Sequence, residues 1–172
     1  MLKIYILCDS NRDHLNEWLS WVDFTSCPKD CVNFINFATE IHQNNGAPTF
    51  GLFYKSKLAG VVSCHPIDKK NRQASIGYWI GKEYTGLGLD SQSVARIVDY
   101  GFDNLNLIRI EIKCAAGNLA SQAVPKRLGF DLEGILRKAE IVGENIYDLK
   151  LFSKIDSDSR KTTQGQRQRD RC

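Results

Sequence analysis

Long apolar runs, a secretory leader and internal repeats are all missing from this chain of 172 residues. No apolar run approaches the roughly 20 residues that a membrane-spanning helix needs. The amino-terminal segment has a short apolar patch but no small-residue cleavage site of the secretory type. The absence of a repeat argues against a solenoid. We therefore expect a soluble, cytoplasmic protein with no membrane partner.

The signatures of a metal site and of a nucleophile site are also missing. Six cysteines are scattered along the chain, and Cys27, Cys31, Cys64 and His65 do not have the paired spacing of zinc ligands. No metal is predicted, and the thiols are expected to stay reduced in the cytosol. The three histidines lack an associated serine or cysteine nucleophile pattern, so surface or capping roles are expected for them.

A basic folded face is lacking as well, although the formal net charge is +3. From Lys154 onward, six basic residues stand against three acidic ones, and residues 1–153 are neutral. A nucleic-acid partner is therefore not expected, because such proteins concentrate basic residues on a folded surface. Residues 154–172 contain almost no apolar residue and are predicted to be a disordered tail. Residues 1–153 are predicted to form one domain.

The spacing of apolar residues predicts an α+β fold for that domain. Helical spacing alternates with short runs rich in β-branched and aromatic residues. The predicted elements are helices within 2–21 and 28–41, a meander of the strands TFGLFY, LAGVVSCHPI and QASIGYWI, a helix after Gly88, a strand over 108–114, a helix over 119–128, and a hairpin of ILRKAEIV and IYDLKLF. The predicted order is α, α, β, β, β, α, β, α, β, β.

The segment EYTGLGLD lies between a predicted strand and a predicted helix. Gly86 and Gly88 allow close approach of the backbone, and the free N–H groups of a helix start point outward at the positive end of the helix dipole. Such a position binds phosphate. A tight turn without a ligand explains a G-x-G pair equally well, so the two interpretations stay open at this point.

Three further residues are candidates for catalysis or binding. Asn118 and Ser121 lie at the start of the helix over 119–128, where helix capping is the ordinary role of such residues. Glu140 lies in a predicted strand among apolar neighbours, where burial can raise the pKa of a carboxyl and suit it to act as a base. An exposed strand glutamate is the alternative.

Taken together, the segments SNRDHLNEWLSWVD, NRQASIGYWIGKEYTGLGL and IRIEIKCAAGNLASQAVPKRLGFDLEGILRKAEIVGENIYDLKLF resemble the GNAT superfamily. The resemblance is to its branch of ribosomal-protein N-terminal acetyltransferases, typified by RimJ and RimL, and it extends from Leu2 to Phe152. It implies a mixed, mostly antiparallel central sheet with splayed strands, flanked by helices. The family's first strand, upstream of the first helix, is expected to be missing here.

The resemblance also implies a cofactor, a reaction and site residues. The co-substrate is acetyl-coenzyme A, and the acetyl group passes to a primary amine. The implied cofactor-binding residues are Trp79, Ile80, Gly86, Leu87, Gly88, Leu89 and Asn118. Trp79 and Ile80 bind the pantetheine arm through their main chain, and the glycine loop binds the pyrophosphate. Ser121 corresponds to the proposed acid and Glu140 to the proposed base.

The acceptor follows from amine chemistry. A protein α-amine has a reference pKa of about 7.7 to 8.0, against about 10.4 for lysine, so it demands less of the base. We therefore expect a protein amino terminus as the acceptor, and the resemblance implies one of the ribosomal-protein type. A polyamine or another small amine is the alternative acceptor, and a homodimer is left open.

Departures from the family pattern at Thr85, Asp90 and Pro125, together with the missing first strand, support a rival interpretation as a non-catalytic acyl-coenzyme A-binding domain. Thr85 and Asp90 flank the glycine loop, and the carboxylate is expected to repel a pyrophosphate. Pro125 lies four residues after Ser121, where its ring crowds the Ser121 carbonyl and removes one helical hydrogen bond.

Overall fold

The computed structural model describes residues 2–44 and 46–157. The α-helices are α1 (Leu2–Asp9), α2 (Arg12–Asn16), α3 (Pro28–Gln43), α4 (Leu89–Asp103) and α5 (Leu119–Arg127). The strands are β1 (Thr49–Tyr54), β2 (Lys57–Cys64), β3 (Gln73–Ile80), β4 (Arg109–Ala115), β5 (Asp131–Val142) and β6 (Asn145–Ile155). Short 3-10 helices cover Ser20–Phe24 and Lys82–Tyr84. The predicted α+β order is confirmed, with the first helical region divided into α1, α2 and a 3-10 turn.

The six described strands form one mixed sheet in the order β1-β2-β3-β4-β6-β5. The β3–β4 pair is parallel, and the other neighbouring pairs are antiparallel. Pairing between β3 and β4 covers only Gln73↔Arg109 to Ser75↔Glu111. Beyond Ser75 the two strands separate, although β3 continues to Ile80. The splayed central strands expected from the resemblance are therefore confirmed.

Two apolar clusters cover the two faces of the sheet. The larger cluster packs α4 and α5 against the sheet, through residues such as Val94, Ile97, Ile110, Val124 and Phe152. The smaller cluster packs α1 and α3 on the opposite face, through Ile4, Cys8, Cys31 and Val61. This layering follows from the alternation of side chains along a strand: in β2, Val61 belongs to one cluster and Val62 to the other.

The described elements extend from α1 at Leu2 to the end of β6 at Ile155. No strand precedes α1 among the described residues, since α1 begins at Leu2, and β1 lies at one edge of the sheet. At the other end, β6 continues to Ile155, two residues past the predicted domain boundary. Lys154 is held there, because its ammonium donates to the Leu128 carbonyl at 2.8 Å. Residues 158–172 of the predicted tail lie outside the described residues, so the tail stays a prediction.

Within the described residues, none of the helices combines the length and apolar character that crossing a bilayer requires.

Candidate active site

The gap between β3 and β4 is lined by main-chain groups of β3. Two bonds set the alternation of the β2–β3 ladder: Gly81 N donates to Ala59 O at 2.9 Å, and His65 N donates to Ser75 O at 2.8 Å. Since hydrogen-bonded and non-bonded pairs alternate in an antiparallel ladder, the pair Trp79↔Val61 is a bonded one. The N–H and C=O of Trp79 are therefore directed at β2.

The main-chain groups of Tyr78 and Ile80 are directed away from β2, toward the gap. Which residues bind the arm stays a prediction, but the main chain of Ile80 faces the gap whereas that of Trp79 faces β2, and the second residue whose main chain borders the gap is Tyr78. The physical reason is the two-residue period of a strand, because two consecutive residues cannot both direct their amide groups to the same neighbour. The Trp79 side chain packs instead on Trp21, with 5.6 Å between ring centroids.

The glycine loop precedes α4 directly. Gly86 and Gly88 have φ angles of +76° and +71°, which L side chains rarely adopt, and Gly88 is the N-cap of α4. Among the described residues, the amides of Gly86, Leu87, Gly88 and Leu89 donate no hydrogen bond to a protein atom. Leu87 is exposed. Free amides at the positive end of a helix of 15 residues fit a pyrophosphate group.

A cation that the sequence analysis missed lies beside this loop. The Asp90 carboxylate accepts a bond from its neighbour Ser91 N at 2.6 Å. The Ser91 hydroxyl in turn accepts a bond from the Arg127 guanidinium at the end of α5. This chain of two hydrogen bonds links a positive charge to Asp90 through Ser91, so it offsets only part of the expected repulsion of an anion. Arg127 is 36 positions away from Ser91 in sequence, so no local spacing could have indicated this contact.

We expect Asp90→Asn to tighten acetyl-coenzyme A binding about two- to fivefold, because a charge near a helix start contributes about 0.3 to 1 kcal/mol. Asparagine keeps the oxygen that accepts from Ser91 N. Calorimetric titration at low and high ionic strength measures the change, which salt should reduce. Asp99→Asn, at an exposed position later in α4, is the control. Unchanged or weaker binding in Asp90→Asn would contradict the expected repulsion.

Asn118 and Ser121 form the start of α5. The Asn118 side chain caps the helix, since its Oδ1 accepts from Ser121 N at 2.9 Å. The capping role is therefore confirmed, and a contact between Asn118 and the cofactor stays a prediction. The cap uses only the main-chain N–H of Ser121 and not its hydroxyl. The hydroxyl oxygen Oγ lies 3.3 Å from Cys114 Sγ, at the open end of β4.

Tyr78 completes this cluster from β3. Its hydroxyl donates to the Ser121 carbonyl at 2.8 Å and lies 3.2 Å from Ser121 Oγ. Burial raises the pKa of the Tyr78 phenol well above its ordinary value, so the hydroxyl stays protonated. Burial also raises the pKa of the Cys114 thiol. Ser121 thus lies in a neutral, hydrogen-bonded cluster at the gap.

Gln122 fixes the loop that connects β4 to α5. Its side chain is fully buried, and its Nε2 donates to the carbonyls of Ala115 and Ala116 at 3.0 and 2.8 Å. Its Oε1 accepts from the Lys150 ammonium of β6 at 2.8 Å. The Gln122 amide therefore joins α5 to the end of β4 and to β6. The sequence did not indicate this role, because a glutamine is ordinarily exposed.

We expect Gln122→Ala to lower the free energy of unfolding by about 2 to 4 kcal/mol, because buried carbonyls and an ammonium lose their partners. Urea denaturation measures the loss. Gln43→Ala, at the exposed end of α3, is the control and should change stability by less than about 0.5 kcal/mol. Equal stability of the two variants would show that the Gln122 bridge contributes nothing.

Glu140 lies in β5 directly after an irregularity in the β5–β6 pairing. Pairing shifts between Leu136 and Glu140, where Lys138 has a φ of +50°, and the Lys138 amide donates to Asp148 Oδ1 at 2.7 Å. Glu140 is partly buried, and this burial raises the pKa of its carboxyl. This direction is the one that the sequence predicted for Glu140. The role of Glu140 as a base stays a prediction.

Two aromatic side chains connect Glu140 with the start of α5. Tyr147 is paired with Glu140 across β5 and β6, and its ring contacts Trp18, with centroids 5.5 Å apart. The Trp18 ring in turn lies over Gly117, where an added Cβ would be 3.4 Å from the ring. The Tyr147 hydroxyl also donates to the Glu17 carbonyl at 3.2 Å. The segment after α2 therefore bridges the two parts of the candidate site.

These features are those of a site for an acyl-coenzyme A. Free amides at a helix start suit the diphosphate, and strands that diverge beside unpaired main-chain groups suit an extended amide-containing arm. The residues present thus fit acetyl-coenzyme A, which supplies an activated acetyl thioester when it is bound.

Comparison with known proteins agrees with this geometry. The profile of the acetyltransferase (GNAT) domain matches residues 5–131. The ribosomal-protein-serine acetyltransferase of Escherichia coli K12 is 32% identical over 152 residues, covering 88% of this chain and 85% of that relative.

Two solved structures show the same fold. The microcin C7 self immunity acetyltransferase MccE, solved with acetyl-CoA and AMP, has a TM-score of 0.84 at 35% identity, covering 90% of this chain and 86% of that one. The ribosomal L7/L12 alpha-N-protein acetyltransferase RimL, solved with coenzyme A, has a TM-score of 0.85 at 28% identity, covering 88% of this chain and 86% of that one. The chain therefore belongs to the GNAT acetyltransferase family and is an acetyl-CoA-dependent N-acetyltransferase.

Proposed function

We propose that the chain acetylates the α-amine of a protein amino terminus, with Ser121 as the acid and Glu140 as the base. The observation that carries this proposal is the partly buried Glu140 carboxyl, which lies next to the Trp18–Tyr147 pair and has a raised pKa. The E. coli relative acts on a ribosomal-protein serine, according to its name, which supports the same acceptor class. A ribosomal acceptor would place the reaction in the cytoplasm.

Each part of the site has a distinct task in this proposal. The amides of residues 86–89 bind the pyrophosphate, and the main chain of Ile80 and Tyr78 holds the arm in the gap. Glu140 accepts the proton of the attacking amine. As the amide C–N bond forms and the thioester C–S bond breaks, Ser121 donates its hydroxyl hydrogen to the departing sulfur, and the proton that Glu140 took from the amine is released to solvent, which reprotonates Ser121. A carboxyl with a raised pKa is a stronger base than an ordinary one, and an α-amine needs little assistance near neutral pH.

The structure of the site weakens two arguments for the rival interpretation as a non-catalytic acyl-coenzyme A-binding domain. Arg127 is linked to Asp90 through Ser91, which offsets part of the expected repulsion of the pyrophosphate. Pro125 is accommodated inside α5, and the Ser121 carbonyl has a partner in Tyr78. Neither departure blocks the geometry that acetyl transfer needs.

An acceptor panel tests the proposal. Thiol release from acetyl-coenzyme A is measured with a serine-starting peptide, with the same peptide blocked at its amino terminus but carrying a lysine, and with spermidine. We expect kcat/KM to be at least about 100-fold higher for the free amino terminus, since the lysine amine is largely protonated near pH 7.5. Higher activity with spermidine would replace the protein acceptor with a polyamine.

A further inference from the structure

Pro125 leaves the Ser121 carbonyl without its ordinary helical partner. In a regular helix, the carbonyl of residue i accepts from the N–H of residue i+4, and proline has no N–H. Pro125 lies inside α5, four residues after Ser121, and it is buried. A buried carbonyl without a partner is costly, so the site needs another donor.

The Tyr78 hydroxyl supplies that donor. Its distance of 2.8 Å to the Ser121 carbonyl is that of a good O–H···O bond, and the two residues are 43 positions apart. Because this bond uses the single hydrogen of the phenol, the phenol oxygen is left to accept from Ser121 Oγ, which is 3.2 Å away. The same tyrosine therefore contacts both the main chain and the side chain of Ser121.

The remaining partner of Ser121 Oγ is also fixed. Cys114 Sγ lies 3.3 Å away and is buried, and the pKa of its thiol is raised by burial, so this sulfur stays a neutral and weak partner. Ser121 has one hydroxyl hydrogen, for which Tyr78 Oη at 3.2 Å and Cys114 Sγ at 3.3 Å are alternative acceptors, and this hydrogen can turn instead to a departing sulfur in the gap. Among the described residues, Tyr78 and the Asn118 cap both hold the main chain of Ser121 by hydrogen bonds.

We propose that Tyr78 is the positioning residue for Ser121, and that it replaces the helical hydrogen bond removed by Pro125. This inference rests on the proposed role of Ser121 as the acid. Tyr78 acts through Ser121 and needs no contact with the reacting atoms.

The test uses five variants and acetyl-coenzyme A turnover with the peptide acceptor. Tyr78→Phe should lower kcat about tenfold and change KM for acetyl-coenzyme A less than twofold. In a Ser121→Ala background, Tyr78→Phe should cause no further loss of kcat. The double variant Tyr78→Phe/Pro125→Ala should recover to within about threefold of Pro125→Ala alone, because the alanine that replaces Pro125 has a main-chain N–H that can donate to the Ser121 carbonyl.

The control is Tyr100→Phe. Tyr100 lies near the end of α4, where its ring packs edge-on against Phe50, and its variant should keep normal kcat. A purely structural role for Tyr78 predicts a different pattern: the same tenfold loss in the Ser121→Ala background and no rescue by Pro125→Ala. Either result, or normal kcat in Tyr78→Phe, would overturn the inference.

Failure of the proposed acceptor would look different. The wild-type chain would then release no thiol with the peptide but would still act on another amine or hydrolyse acetyl-coenzyme A slowly. Both reactions need protonation of the same sulfur, so the ratios among the variants are measured in them with the same expected values.

Discussion

Glu140→Gln is expected to lower kcat/KM for the peptide acceptor by about 100-fold, while the dissociation constant of acetyl-coenzyme A should stay within about twofold of the wild-type value. Glutamine is similar in shape to glutamate but cannot take a proton from the attacking amine. The carboxyl lies on β5, apart from the glycine loop, so cofactor binding is unaffected. Steady-state thiol release and calorimetric titration measure the two quantities.

The pH dependence of kcat/KM is a second test of Glu140 as the base. Burial raises the pKa of Glu140, so its carboxyl is protonated and inactive at low pH and becomes a base as the pH rises through that pKa. Wild-type kcat/KM should therefore rise with pH in two steps, the second set by the α-amine near about 7.7 to 8.0. Glu140→Gln should lose the lower step and keep the upper one.

A matched control separates the role of this carboxyl from general charge effects. Glu144 lies in the exposed turn between β5 and β6, and Glu144→Gln should keep both the rate and the two-step profile. Wild-type turnover in Glu140→Gln, or loss of the lower step in both variants, would remove Glu140 from the role of base.

Ser121→Ala is expected to lower kcat by about 100-fold and to leave KM for acetyl-coenzyme A within about twofold of its normal value. Its hydroxyl is the proposed donor to the departing sulfur, and alanine has no proton to give. The α5 cap survives the change, because Asn118 Oδ1 accepts from the main-chain N–H of residue 121. Stability should therefore change little, which denaturation measures alongside kinetics.

The control for Ser121 is another serine beside a helix start. Ser26 precedes α3 and contacts Asp30, away from the gap, so Ser26→Ala should keep normal kcat. Should Ser121→Ala retain normal kcat as well, the acid would have to be another group, and the role inferred for Tyr78 would end with it.

Local patterns determined the order of elements and the position of the glycine loop. The apolar residues of α4 recur at helical spacing, and those of β4 alternate, because each element buries one face. The glycine pair was identifiable from the sequence because a tight turn with positive φ angles requires glycine. Gly86 and Gly88 have φ angles of +76° and +71° in the structure. These are properties of consecutive residues, and a sequence records them directly.

The phase of the β2–β3 ladder was decided by tertiary structure. Whether Trp79 or Tyr78 directs its main chain to the gap depends on which pairs are hydrogen-bonded, and the bond from Gly81 N to Ala59 O sets this. The strand pattern is identical for both phases, so the sequence could not distinguish Trp79, which the resemblance implied, from Tyr78, whose main chain borders the gap.

The partners of Arg127, Gln122 and Ser121 were decided in the same way. Each contact joins residues that are far apart in the chain: Arg127 with Ser91, Gln122 with Lys150, and Ser121 with Tyr78. The sequence by itself determined that Pro125 removes a hydrogen bond from Ser121. Only the packing of α5 against β3 decided that a phenol would restore it, because a hydrogen bond depends on distance in space and not on separation along the chain.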